Sequence, residues 1–152
     1  MMRIGTPLLR LVMVTLVLLA AAAAAHAQTV TWTGGGDGIS WNQAANWSSN
    51  PALPGAANDV VIPAGAQQIS YNGTNTIRSL SLDRAMVMGG CQLLTITNGL
   101  TLPSAAGVLT TGGSFCENLR FNGTQSITGA GELVINRGSM SVLGTTTLTV
   151  GA

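Results

Sequence analysis

Cys91 and Cys116 are the residues of this 152-residue chain whose type and spacing most directly specify a chemistry. They lie 25 positions apart in similar surroundings, GGCQLLTITNG at 89–99 and SFCENLRFNG at 114–123. If the two segments occupy equivalent places on stacked coils, the cysteines stand one strand spacing apart, about 4.8 Å, which a disulfide accepts. An exported protein permits that bond, and closing a loop of this size contributes roughly 3 to 4 kcal/mol on chain-entropy grounds. The alternative is a ladder of two buried free thiols. Met86 and Met88 could join the sulfurs as soft ligands for Cu(I). Methionine serves more often as core filler, so no metal is expected.

Catalysis has little to draw on. The only histidine, His26, falls in the leader described below, so a His-dependent nucleophilic triad is excluded from the mature chain. Asp37, Asp59, Asp83, Glu117 and Glu132 are dispersed, whereas glycoside hydrolysis needs two facing carboxylates and other polysaccharide chemistries need a positioned acid or base. Arg120 with Glu117, and Arg137 with Glu132, are spaced for exposed ion pairs of small energetic weight. No catalytic residue is assigned and no cofactor is expected. The loop GGGDG at 34–38 offers hard oxygen ligands for calcium, but the calcium β-roll repeats its Gly-Asp nonapeptide and here it occurs once. A turn with a solvated Asp37 is the expectation. The loop also lacks the Gly-Lys-Ser/Thr ending of a phosphate-binding loop. Asn46-Trp47-Ser48, Asn72-Gly73-Thr74 and Asn122-Gly123-Thr124 match the glycosylation sequon and read as turns. Thr95-Ile96-Thr97 and Thr145-Thr146-Thr147 hint at an ice-ordering face, but such groups do not recur once per coil, and Thr suits any strand.

The elements that must hold these residues begin after a leader. Arg3 and Arg10 precede LVMVTLVLLAAAAA, and Ala25-His26-Ala27 forms a small-x-small cleavage site, the pattern of a secretory signal peptide over residues 1–27. No second apolar run of spanning length follows, so no transmembrane segment is expected in the mature chain. With the leader removed, Arg78, Arg84, Arg120 and Arg137 face the five acids, and the formal net charge moves from +1 to −1. Nucleic-acid binding needs clustered Lys and Arg; four scattered arginines and no lysine exclude it. Export places the mature protein outside the cell or at its surface, in the periplasm or outer membrane of a Gram-negative cell.

About 125 mature residues suffice for one domain with a modest core. Helix formers are scarce, while short apolar pieces recur between Gly, Asn and Ser: DVVIP at 59–63, TIRSLSL at 76–82, AMVM at 85–88, LLTI at 93–96, LTL at 100–102, LRF at 119–121, ELVI at 132–135, MSVL at 140–143 and LTV at 148–150. Alternation marks them as strands, with Leu80 and Leu82 sharing one face and Ser79 and Ser81 the other. Gly-containing breaks such as Asn72-Gly73, Gly89-Gly90, Asn98-Gly99, Asn122-Gly123 and Gly129-Ala130-Gly131 supply the corners. The offset of 25 aligns Leu94 with Leu119 and Ile96 with Phe121, and ELVINRG and LTVGA echo the alternation. A solenoid predicts such spacing and a sandwich of hairpins does not. The expected fold is all-β, a right-handed parallel β-helix.

Residues 31–47, TWTGGGDGISWNQAANW, differ from all that follows and hold every tryptophan. Ser40-Trp41-Asn42-Gln43 reads as a capping box opening one short helical turn. With its continuation to residue 65, this segment resembles the mature N-terminus of bacterial secreted and surface proteins with a repeat-rich parallel β-helix, autotransporter-like or adhesin-like. The Trp-Gly spacing, Asn46-Trp47, Pro54-Gly55 and the strand Asp59-Val60-Val61-Ile62 carry the similarity, which implies a location and a fold but no reaction. Physically, a solenoid's first coil needs a lid. Trp32, Trp41 and Trp47 are assigned to that cap, with a platform for sugar rings as their other reading.

The chain therefore divides into a signal peptide (1–27), a Trp/Gly-rich N-terminal cap with the first strand (28–66) and β-helix rungs (67–152). GTTTLTVGA has the texture of another rung, so the rungs are expected to continue beyond it. The expected function is an exported structural or adhesive surface module without catalytic activity, its partners cell-surface glycans or downstream solenoid repeats. The alternatives are a carbohydrate-binding module using exposed Trp and, behind it, a polysaccharide lyase-like enzyme.

Overall fold

The computed structural model describes residues 27–112, 116, 118–143 and 148–151. Residues 1–26 of the leader, His26 among them, with Glu117 and Thr145-Thr146-Thr147, lie outside the described residues. Strand β1 (Gln28–Thr31) is followed by a single 3₁₀ turn, Ala44–Asn46. The first coil holds β2 (Asn58–Ile62), β3 (Ile69–Tyr71) and β4 (Thr74–Ile77), and the second β5 (Ser79–Leu82), β6 (Ala85–Met88) and β7 (Leu93–Ile96). The third holds β8 (Leu100–Leu102), β9 (Val108–Thr111) and β10 (Asn118–Asn122). The fourth holds β11 (Gln125–Gly129), β12 (Glu132–Ile135) and β13 (Ser139–Leu143), after which β14 (Leu148–Val150) opens another coil.

Strands of successive coils stack in parallel, giving a first sheet β1-β2-β5-β8-β11-β14, a second β3-β6-β9-β12 and a third β4-β7-β10-β13. The chain is a parallel β-solenoid of about four turns. Its core is a set of ladders running along the axis, because equivalent inward positions stack one strand spacing apart. Val30, Val60, Leu80, Leu100 and Ile127 form one ladder in register in the first sheet. Ile69, Met86, Leu109 and Leu133 form another in the second, and Ile77, Ile96, Phe121 and Val142 a third in the remaining sheet. Each fully buried aliphatic or aromatic rung stabilises the fold by roughly 1.5 to 3 kcal/mol.

The pairing of 93–96 with 118–121 is the one the sequence offset of 25 predicts, Leu94 opposite Leu119 and Ile96 opposite Phe121. Three sequence expectations are corrected. TIRSLSL is two strands of different sheets, broken by a corner at Arg78, so Ile77 belongs to the third sheet and Leu80 and Leu82 to the first. ELVI and LTV are not the next copies of the 93–96 pattern, because β12 and β14 lie in the second and first sheets; the next copy is β13. Ser40 caps no helix: the 3₁₀ turn begins at Ala44, three residues later than a cap at Ser40 requires, with Gln43 as the capping position and no side-chain cap bond. The hydroxyl of Ser40 is instead taken by Asp37 at 2.6 Å.

Corners dictate where glycine is required. Gly129 has φ of +110°, and a Cβ there would strike the Leu102 carbonyl of the coil before it. At the next corner a Cβ on Gly131 would strike the carbonyl of Gly107, which itself sits against that of Leu82. Coils approach too closely at these corners for a side chain.

Candidate functional site

The segment between β1 and β2 folds around one buried polar side chain. Asn46 Oδ1 accepts the backbone N–H groups of Gly36 and Gly38 at 2.9 and 3.0 Å, and its Nδ2 donates to Asp37 Oδ1 at 2.7 Å and to the Ser40 carbonyl at 2.9 Å. A residue completely buried in this way is closed to glycosylation in the folded chain, whereas Asn72 and Asn122 lie exposed at corners. Asp37 is not merely solvated. Its carboxylate also accepts the N–H groups of Ile39 and Ser40, at 2.9 and 2.8 Å, in an Asx-type turn. The Ser40 hydroxyl, the Ser40 and Ile39 N–H groups and the Asn46 amide together hold it well below the usual carboxylate range. Both oxygens of this carboxylate are thus taken up by donors of the loop itself, Oδ1 by three N–H groups and Oδ2 by the Ser40 hydroxyl, which leaves them poorly placed to serve calcium.

Around this loop the three tryptophans pack edge to face. Trp32 and Trp47 have ring centroids 4.9 Å apart, Trp41 and Trp47 4.6 Å, and Trp41 meets Tyr71 of β3 at 5.0 Å. Trp47 Nε1 donates to the Trp41 carbonyl at 2.8 Å. All three indoles are buried, so none presents an open face to solvent. The segment lies against the first coil: β1 pairs with β2, Ser40 bridges Ser70 of β3, and Asn42 Nδ2 donates to the Asn72 carbonyl at the following corner. Tyr71 continues the contact inward, its hydroxyl donating to the Leu93 carbonyl at 2.8 Å and accepting from Asn75 N–H at 3.1 Å. Burial pushes that phenol above its ordinary range.

The opposite end differs. Ile135, Met140, Val142 and Leu143 are exposed on β12 and β13, the last strands of the second and third sheets among the described residues. Beside them a cavity of about 310 Å³ is lined by Leu102, Ile127, Leu133 and Met140 with Gly129 and Gly131. Its apolar walls are inward ladder positions of the third and fourth coils.

Cys91 and Cys116 form a disulfide across consecutive coils, with Cα atoms 4.7 Å apart. Met86 and Met88 are fully buried rungs of the core, so the copper reading gives way: both cysteine sulfurs are spent on each other and both thioethers point inward. The described carboxylates do not converge. Asp59 binds Arg78 through two hydrogen bonds of 2.8 Å and accepts Ser79 Oγ at 2.5 Å, and Asp83 accepts Ser104 Oγ. Arg78 draws the Asp59 carboxyl below its usual range. Arg84 spends its guanidinium on the carbonyls of Pro63 and Ala64.

Sequence reasoning singled out neither Asn46 as a hub nor the Asp59–Arg78–Ser79 group. The latter had a signal: Asp59 and Ser79 are in register one coil apart, at a spacing of 20 rather than 25. No helix among the described residues is long and apolar enough to cross a membrane. Comparison with protein-family models, with curated proteins and with solved structures finds no match.

Proposed function

We propose that this chain is an exported structural or adhesive surface module without catalytic activity, the capped N-terminal part of a longer right-handed β-solenoid. The observation that carries the reading is the difference between its ends. At one end the buried cluster of Trp32, Trp41 and Trp47 rests on the first coil and serves as its cap, as atypical terminal repeats do. At the other, Ile135, Met140 and Val142 lie exposed on open strand edges, and contiguous apolar surface on such edges marks an interaction site.

Further rungs of the same polypeptide are the proposed occupant. Strand β14 already extends the first sheet past β11, and strands laid on β12 and β13 would complete that coil and cover the exposed residues. Right-handed winding follows from the sense that right-twisted strands impose on crossovers between parallel neighbours. Export rests on the charged and apolar pattern of residues 1–27, and the disulfide suits an oxidising compartment. The lack of catalysis is supported by Asp37, Asp59 and Asp83, each committed to its own hydrogen-bond donors. Cell-surface glycans are the partner class for an adhesive role. A carbohydrate-binding site of exposed tryptophan is the lesser reading, since burial of the indoles weighs against it.

Fractionation of the source cells, probed with an antibody against residues 28–66, tests the proposal. A band much larger than the mature chain, in the envelope or medium, is the expected result. A band of mature-chain size alone, or one confined to the cytoplasm, overturns it. Turnover of a polysaccharide that dies with substitution of Asp59 or Arg78 would overturn the non-catalytic part.

A further inference from the structure

On the outer face of the third sheet, Thr95, Arg120 and Ser141 occupy one column in register on three successive coils. Two donors in that column lack acceptors: Arg120 Nε and Ser141 Oγ are both buried and make no hydrogen bond. Thr95, though it points outward, is only 8% exposed. The Arg120 guanidinium makes no ion pair with any described residue, in contrast to Arg78 on Asp59 and Arg84 on two carbonyls. Buried donors are nearly always satisfied; Trp32 Nε1, Trp41 Nε1 and Thr111 Oγ1 are also unpaired, but only Arg120 and Ser141 are in register on neighbouring strands.

We infer that Arg120 and Ser141 form a binding position for a small oxyanion, a carboxylate or a sulfate, on the outer face of the third sheet. Neighbouring strands lie about 4.8 Å apart, so the N–H edge of a guanidinium on one and a hydroxyl on the next reach the same anionic group. Arg supplies a planar fork suited to two oxygens, and the hydroxyl adds a third donor. Arg120 and Ser141 are each only half-buried on this outer face, so the column is reached from solvent. The inference is independent of the surface-module reading, since it uses neither end of the solenoid. It covers both a free anion and an acidic group carried on a saccharide.

The test is an NMR titration of the mature chain, residues 28–152, following the arginine Nε–H resonances. Sodium sulfate, sodium acetate and oligogalacturonate are added separately at constant ionic strength, with sodium chloride as reference. The expected result is a saturable shift of Arg120 Nε–H that Arg78 and Arg84 do not share. The apparent affinity should fall roughly tenfold in Ser141→Ala and in Arg120→Lys, which keeps the charge but loses the fork. Saturation by acetate or sulfate alone assigns the position to free anions, and saturation by oligogalacturonate at lower concentration assigns it to acidic glycans. No shift, a shift equal in chloride, or one shared by all three arginines overturns the inference. So does unchanged affinity in a folded Ser141→Ala.

Discussion

Gln125 Oε1 accepts the backbone N–H of Gly99 at 3.0 Å, and Nε2 of the same side chain donates to the Ile96 carbonyl at 2.9 Å. One buried amide thus ties the corner leading into β11 to the corner one coil earlier. It also closes its own corner through the Asn122 carbonyl at 3.0 Å. Gln125→Ala leaves a buried N–H and a buried carbonyl without partners, and should cost about 2 kcal/mol. Urea denaturation should show a lower midpoint at an unchanged slope. Gln125→Asn, one methylene shorter, should recover little of the loss; full recovery would mean the corner is held by something else.

The Cys91–Cys116 bond clamps the second coil to the third at a corner where both residues are exposed. The double variant Cys91→Ser/Cys116→Ser should be less stable by about 3 to 4 kcal/mol, the loop entropy restored to the unfolded chain. Reducing the wild-type chain should reproduce that shift, while the double variant should not respond to reductant. Equal stability of oxidised and reduced wild type would count against a clamp.

Asp37 gives the fold a dependence on acid. Its folded pKa lies below the ordinary 3.8, because Ser40, Ile39 and Asn46 all donate to it. A depressed carboxylate stabilises the folded state fully above its unfolded pKa and loses that contribution as pH falls through the folded value. Asp59, held down by Arg78, acts in the same direction. Melting temperature should therefore be flat near neutrality and decline below about pH 4. Asp37→Asn should start lower and decline less steeply. Parallel pH profiles for the two proteins would rule out the Asp37 contribution.

The legible part of this fold was its strand texture and one register. The offset between Cys91 and Cys116 worked because the third-sheet strands there carry matching apolar pairs, Leu94 with Leu119 and Ile96 with Phe121. The other registers were hidden by coils of unequal length. Asp59 and Ser79 are 20 residues apart, Leu100 and Ile127 27, so no single period links the ladders. Strands β3, β9 and β11 escaped notice because a short inward-outward pattern such as Ile69-Ser70-Tyr71 barely differs from a loop. The tryptophans were legible as a distinct segment from their clustering. Asn46 was not, because nothing in an Asn between Ala and Trp announces that two glycine N–H groups will converge on it.

Val142 sits directly above Phe121, and Met140 above Leu119, yet the lower pair is fully buried and the upper pair is 39% and 42% exposed. Chemistry and ladder are the same; only the next coil differs. In the mature chain, Leu119→Ala and Phe121→Ala should cost about 2 to 5 kcal/mol, since each leaves a cavity between coils. Met140→Ala and Val142→Ala should cost well under half as much, because half-exposed side chains lose little burial. The ratio is a direct readout of whether another coil lies on β13. In a polypeptide extended by further rungs, the cost of Met140→Ala should rise towards that of Leu119→Ala. A Met140→Ala cost already as large in the chain of residues 28–152 would mean that another molecule covers this end, and light scattering would then show the chain associated.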